Sequence, residues 1–294
     1  MHAKTKKKIT PYLLILPAVL FMAVVYLYPL ILTFKYSVSE VQVLTQETKF
    51  VGLENFKTVF SNPAIKDTII RTLKWVALTV CFKMFIGTFI AMLMTAKVKG
   101  SKLYKFLVLV PWAMPAVVVS IIWSWIFDGH SGYLNYYLLK FNLVSEPIHW
   151  LAERNTSFLA TSIVDAWAGL SLITMIMLSG FNAIPESLYE AARVDGANAV
   201  QRFFNITVPG IRKVFLITTI LTTIWTFNSY NIIWVLTEGG PIDATTTMVI
   251  KIWKEAFDRF NYGVSSALSV IAFVILTVLS LVYWKFLNKE GDGI

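Results

Sequence analysis

Charge is scarce in this chain: of 294 residues only 15% are charged, whereas 56% are hydrophobic, and the mean hydropathy is +0.65. Such a composition is too apolar for an ordinary soluble domain and indicates an integral membrane protein. Cysteine is nearly absent. Cys81 alone excludes a disulfide within the chain and leaves the redox compartment unread. The three histidines, His2, His130 and His149, have no second His or Cys at ligand spacing, which argues against a metal site. No G-x-x-x-x-G-K-[ST] occurs, nor any Gly-Lys pair, so no P-loop can be built and ATP, if it drives the protein, is bound elsewhere. Intramembrane acids are scarce too. Asp165 is the one carboxylate clearly inside an apolar run, a thin basis for the proton relay of an ion-coupled carrier.

The net charge of +9 does not indicate nucleic acid, because the basic residues punctuate apolar segments instead of forming a stripe with interleaved aromatics. Six windows reach the roughly 20 apolar residues that a membrane helix requires: 11–34, 69–96, 103–127, 157–181, 214–236 and 262–287. The expected fold is an all-α bundle of six transmembrane helices. The basic start, "KTKKK", followed by an apolar run resembles a signal peptide, but the run is too long and lacks a small-residue cleavage site, so an uncleaved first helix is expected. With the N-terminus in the cytoplasm, the shorter loops together with the adjoining helix ends carry 14 basic residues and the longer opposite loops with theirs 10, leaving Lys74 and Lys83 deeper within a span. That bias places both termini inside. The expected organisation is a tail at 1–10, a first helix at 11–36, a five-helix core at 69–287 and a tail at 288–294. In the outer loop at 128–156, "GYLNYYLLKFNL" reads either as an interfacial amphipathic segment or as a loop with aromatic anchors.

Between two apolar runs sits "YEAARVDGANAVQRFFNITVP", on the cytoplasmic side of that topology. Pro185 suits the first turn of a helix, Glu186 its positive end, and Gly196 a left-handed C-terminal cap. A helix over 185–195, a glycine turn and a second helix through Val200, Phe203 and Phe204 follow, with Pro209 punctuating the approach to the fifth span. Apolar and small residues on this projection, Leu188, Ala191, Ala192, Phe203 and Phe204, suit insertion into a partner's groove.

These residues also carry a resemblance. Glu190-Ala191-Ala192, three residues, Gly196, nine residues, then Ile206-x-Val208-Pro209 resembles the EAA signature of permease subunits of binding-protein-dependent ABC importers, departing only at Val208, where Leu is usual. "AIPESLYEAARVDGA" and "VLTEGGP" followed by Thr245–Thr247 are similar to the carbohydrate-uptake branch, and within it to the maltose-type F permease. The resemblance spans essentially the whole chain. It implies the type I permease fold in the cell inner membrane, surrounded by lipid, with an EAA loop at 182–213 that docks as a coupling helix in an ATPase subunit. Tyr189, Glu190, Ala191, Ala192, Asp195, Gly196 and Phe203 are the implied coupling residues. The implied partners are a second, homologous permease, two ATPase subunits that bind ATP and Mg, and an extracytoplasmic solute-binding protein; this chain itself is neither an enzyme nor a cofactor carrier, and nucleic acid is not expected.

For the solute path, Thr219, Thr222, Thr223, Thr226, Ser229 and Tyr230 fall within about 120° of a continuous fifth-span helix. That stripe serves either sugar hydroxyls, with Trp225 and Tyr230 offering ring faces, or simply back-bonding and helix packing. Thr161, Asp165, Gly169 and Leu172 form a matching face on the fourth span. The resemblance implies that Gly169, Leu172, Thr222, Thr226 and Ser229 line a sugar site, with Leu172 departing from the aromatic of the maltose-type subunit. Lys83 lies about 14 residues, or roughly 21 Å, down the second span, and Asp165 roughly 12 Å down the fourth from the same side. The two can form a buried pair that holds the helices in register, or contact substrate, Lys83 favouring an acidic sugar, or Lys83 can face another subunit. The outer "LTEGGPIDATTT" reads as a gate or binding-protein contact, or as a glycine-capped re-entrant turn. A membrane-embedded glycan-processing enzyme lacks the paired catalytic carboxylates it would require, and a secondary carrier lacks a clear internal repeat.

Overall fold

A computed structural model describes residues 14–42, 45, 47–95 and 101–288. The expected N-terminal tail, the first residues of the expected first helix, the loop around Lys97 and all but Asn288 of the C-terminal tail lie outside the described residues. The chain divides into two compact units, one comprising the residues up to Lys66 with Lys251–Ile275, the other Asp67–Ile250 with the residues from Leu276 on.

In the first unit, α1 (Leu14–Ser37) leads into an antiparallel ribbon of β1 (Ser39–Val41) and β2 (Thr48–Phe50), with Glu40 opposite Lys49, followed by α2 (Glu54–Ser61). This ribbon is the one departure from the all-α expectation among the described residues. Asn55 fastens it by donating from Nδ2 to the carbonyls of Ser37 and Ser39 at 3.0 and 2.9 Å.

The second unit holds most of α3 (Pro63–Met94), then α4 (Ser101–Ala113), α5 (Ala116–Ile126), α6 (Tyr133–Lys140), α7 (Arg154–Asn182), α8 (Glu186–Val194), α9 (Ala199–Phe227) and α10 (Asn231–Thr237). The helix α11 (Met248–Trp253) and the closing α12 (Tyr262–Asn288) are shared between the units. Among the described residues five helices, α1, α3, α7, α9 and α12, are long and apolar enough to cross a membrane, and α4 with α5 makes a sixth crossing if that bent pair is one span.

The third expected span is therefore not a straight helix. Its halves diverge by 99° because Pro115 excludes the residue before it from the helical region and has no N–H to continue the ladder. The α5 half packs with α7 and α10 around Val119, Phe127, Val164, Ile232 and Leu236. The fifth span is also revised. It begins at Ala199, well before the expected 214, and passes straight through Pro209. A π turn at Phe203–Thr207 makes that passage possible: widening the ladder relieves the clash between a proline ring and the carbonyl four residues back. The same device precedes Pro29, where α1 carries a π turn at Ala23–Leu27.

At its other end α9 stops at Phe227, and Asn228–Tyr230 form a break before α10. After α10, Glu238 and Gly239 take positive φ, turning the chain back so that Thr246 bonds the Gly239 carbonyl at 2.9 Å and Asp243 Oδ1 at 2.8 Å. The Met248 amide donates to Thr72 Oγ1 at 2.8 Å, which fastens this turn to α3. In the loop before α7 the "GYLNYYLLKFNL" stretch forms α6, held by buried Asn135. Its amide bonds the carbonyls of Gly129 and Ile148 and accepts from Trp150 Nε1, leaving Tyr133, Tyr136 and Tyr137 exposed.

Candidate functional site

Three helices of the second unit converge on one buried polar node. The buried face of α3 runs through Thr72, Trp75, Thr79 and Lys83, a 3–4 spacing that sets them on one stripe. Lys83 Nζ donates to Asp165 Oδ2 at 2.6 Å and to Thr226 Oγ1 at 3.0 Å. The other carboxylate oxygen, Asp165 Oδ1, accepts from Ser229 Oγ at 2.6 Å. Lys83 and Asp165 are only 6% and 5% exposed, so each charge faces its counterion in a medium that screens little. Trp75 adds a fourth tie, its Nε1 donating to the Thr226 carbonyl at 3.1 Å.

Two local features make this node possible. A Cβ on Gly169 would lie 2.8 Å from Lys83 Cε, so the glycine leaves the channel through which the lysine stem reaches α7. The break after Phe227 turns Ser229 toward Asp165; on a continuous helix Ser229 and Tyr230 would have prolonged the expected hydroxyl stripe, and that continuity is corrected here. Thr219 and Thr223 bond back to the carbonyls of Phe215 and Thr219 at 2.8 Å each, as the packing alternative anticipates, and Thr161 does the same to Ser157.

The remaining expected path residues are dispersed. Trp225 is half exposed, one position round α9 from buried Thr226, Tyr230 stacks on Trp234 with ring centroids 5.4 Å apart, and Leu172 is half-buried. Thr222 Oγ1 is buried without a hydrogen-bond partner, as are the hydroxyls of Thr79, Thr88 and Thr174. Neither Trp75 nor these α3 and α7 threonines were singled out from the sequence, although Thr79 and Trp75 lie four and eight residues before Lys83, on its face of α3.

At the opposite end of α7, Ile184 and Pro185 turn the chain into α8. Pro185 is the N-cap of α8, not part of its first turn. Its C-terminus is a Schellman cap: Ala197 N–H bonds the Ala192 carbonyl at 2.9 Å, Gly196 N–H bonds Arg193 at 3.1 Å, and Gly196 has φ +76°. A capping box of Asn198 and Gln201 then opens α9. Tyr189 OH hydrogen-bonds Thr207 Oγ1 at 2.9 Å, which fixes α8 against the π turn. Glu190, Ala191, Asp195 and Gly196 are exposed and Ala192 is half-exposed. Phe203 is half-buried and shares a cavity wall with Met92 and Phe181, whereas Phe204, 61% exposed, points out. Apolar exposure on this projection is high, with Val194 at 88% and Val200 at 64%.

Several helices apolar and long enough to cross a membrane, three of them meeting at a buried ion pair, with an exposed helix–turn–helix between α7 and α9, are the architecture of a multi-pass membrane protein. More particularly, residues 83–289 match the family described as "Binding-protein-dependent transport system inner membrane component", and the chain belongs to that family. It is a permease subunit of an ABC transporter in the inner membrane, not an enzyme. The chain is 32% identical over 283 residues, 96% of its length and 98% of the relative's, to a probable ABC transporter permease protein of Brucella suis biovar 1 (strain 1330). It is 32% identical over 277 residues, 93% of its length and 92% of the relative's, to the trehalose/maltose transport system permease protein MalF of Thermococcus litoralis. Its fold is similar, at a TM-score of 0.86, 18% identity and 98% coverage of both chains, to a subunit of a bacterial ABC transporter involved in the import of the acidic polysaccharide alginate.

Proposed function

We propose that this chain forms half of the solute path of an ATP-driven importer for a sugar or sugar-like solute, with both termini in the cytoplasm. A second, homologous permease completes the path. Two ATPase subunits bind ATP and Mg and receive α8, and an extracytoplasmic binding protein delivers the solute. The observation that carries the coupling role is the exposed Glu186–Val194 helix with its Gly196 turn. Leu188 and Val194 on it are exposed among the described residues, yet Tyr189 and Thr207 bind it to the start of α9, so a push on α8 reaches the helix that bears Thr222 and Thr226. Closure of the ATPase pair then shifts the populations of two permease states.

The sugar reading rests on the relatives and on the buried hydroxyls that lack partners, Thr88, Thr174 and Thr222. An unsatisfied buried hydroxyl costs on the order of 1–3 kcal/mol, which a hydroxyl-rich solute or water would offset. Lys83 and Asp165 serve as the brace between α3, α7 and α9. The family match, over residues 83–289, disfavours a secondary carrier. Deleting residues 190–196 tests the docking role: the deletion is expected to abolish co-purification of the ATPase subunits, and a stable, coupled complex refutes it.

A further inference from the structure

Where α3 meets the start of α7, three cationic side chains share a cavity of about 310 Å³. Asp67, Arg71 and Lys74 lie along one face of α3, and Arg154, Asn155 and Phe158 in the first turns of α7 close it. Arg71 is anchored by its Nη1 donating to the Thr246 carbonyl at 3.2 Å, and it feels Arg154, Asp67 and Asp243 electrostatically. Among the described residues no carboxylate comes within ion-pair distance of Arg71, Lys74 or Arg154. Three cations against Asp67 in the wall and Asp243 beside it leave the cavity net positive. The first amides of α7 add to that field, since Glu153 does not cap them with its side chain. The chemistry that cancels such a field is a compact oxyanion, and Arg and Lys donors suit a carboxylate or a phosphate.

The cavity is aligned with the node. Phe158 and Asp165 are seven residues apart on one face of α7, roughly 10 Å along the axis. Phe158 meets the Trp75 ring edge-on at 6.0 Å, and Trp75 bonds the same Thr226 that receives Lys83. Phe158 therefore gives the cavity an apolar ring beside its cations, a combination that suits a sugar ring carrying an acidic group.

We infer that this cavity binds the anionic group of a charged saccharide, a uronate carboxylate or a sugar phosphate, at the far end of the path from the coupling helix. The inference rests on the sugar-importer reading and narrows its substrate class. Binding of trigalacturonate, its neutral methyl ester and glucose 6-phosphate to the intact complex in zwitterionic nanodiscs tests it. Saturable binding of at least one acid is expected, with the neutral ester at least about tenfold weaker. Lys74→Gln/Arg154→Gln should weaken acid binding at least about tenfold, and Lys74→Arg/Arg154→Lys should restore most of it. Neutralising Lys57 and Lys140, outside the cavity, should change it less than about twofold. Failure of both acids to bind, or equal acid binding by the wild-type complex and the Gln variant, overturns the inference. So does a variant that changes only retention of added phosphatidylglycerol, which identifies a lipid-headgroup site. Failure of the sugar-importer reading has a separate signature: ATP hydrolysis that responds to no saccharide-loaded binding protein, whatever the nanodisc binding shows.

Discussion

Replacing Lys83 by methionine keeps most of the side-chain volume but removes the ammonium, leaving Asp165, 5% exposed, charged and held only by Ser229. Breaking a buried pair in this way costs about 3–5 kcal/mol, most of it from the stranded charge. At about 1.4 kcal/mol per factor of ten, the folding equilibrium constant falls by roughly two to three and a half orders of magnitude. Asp165→Asn strands Lys83 instead and costs a similar amount. The double variant Lys83→Met/Asp165→Asn removes both charges, and Asn Oδ1 still accepts from Ser229, so it should lie within about 1–2 kcal/mol of wild type. The predicted coupling is thus at least about 4 kcal/mol. Thermal unfolding of the four purified complexes in one detergent, together with their abundance in the membrane, completes the cycle. Additive single-variant losses refute the brace. So would a Lys83→Met complex of wild-type stability.

Gly169→Ala should cost about 1–3 kcal/mol, because its methyl group meets a lysine stem pinned at both Asp165 and Thr226, and the cost should largely vanish in a Lys83→Ala background by the same unfolding assay. Thr222→Val removes a hydroxyl without a partner; stability is expected to hold or rise by up to about 1 kcal/mol while solute uptake falls, and unchanged uptake separates Thr222 from the path. Gly196→Ala, at φ +76°, should cost about 1–2 kcal/mol locally and raise amide exchange across 191–198. Asp128 is held below the ordinary carboxylate range, first by the Ser131 amide, then by the Ser131 hydroxyl and the His130 amide. Its contribution is full above the ordinary value of about 4 and is lost as the pH falls through the lowered one, so Asp128→Asn should flatten the acid limb of loop exchange protection.

The helices that cross on length alone were legible because composition sets them. Their interruptions were not, because each depends on what surrounds a proline or a break. Pro115 bends the third span by 99°, whereas Pro29 and Pro209 pass within helices behind π turns; the three prolines read alike in the sequence. Periodicity could place Lys83 and Asp165 within reach of each other, yet it could not choose between brace and ligand. Only the packed structure shows that the absent Cβ of Gly169 admits the lysine stem. The 185–196 segment was the most legible part, because Gly196 encodes its cap locally, whereas the Asn198–Gln201 capping box emerged only in the structure. Phe203 and Phe204, both expected on the projection, differ in exposure: Phe203 is half-buried and Phe204 is 61% exposed.

The central claim, that this permease takes its drive through α8, is tested most directly by ATP hydrolysis in proteoliposomes holding the complete complex. Saccharide-loaded binding protein is expected to accelerate hydrolysis by the wild-type complex, and Ala192→Trp, which enlarges a half-exposed position on the projecting helix, is expected to abolish that acceleration. Equal acceleration in both complexes contradicts the account.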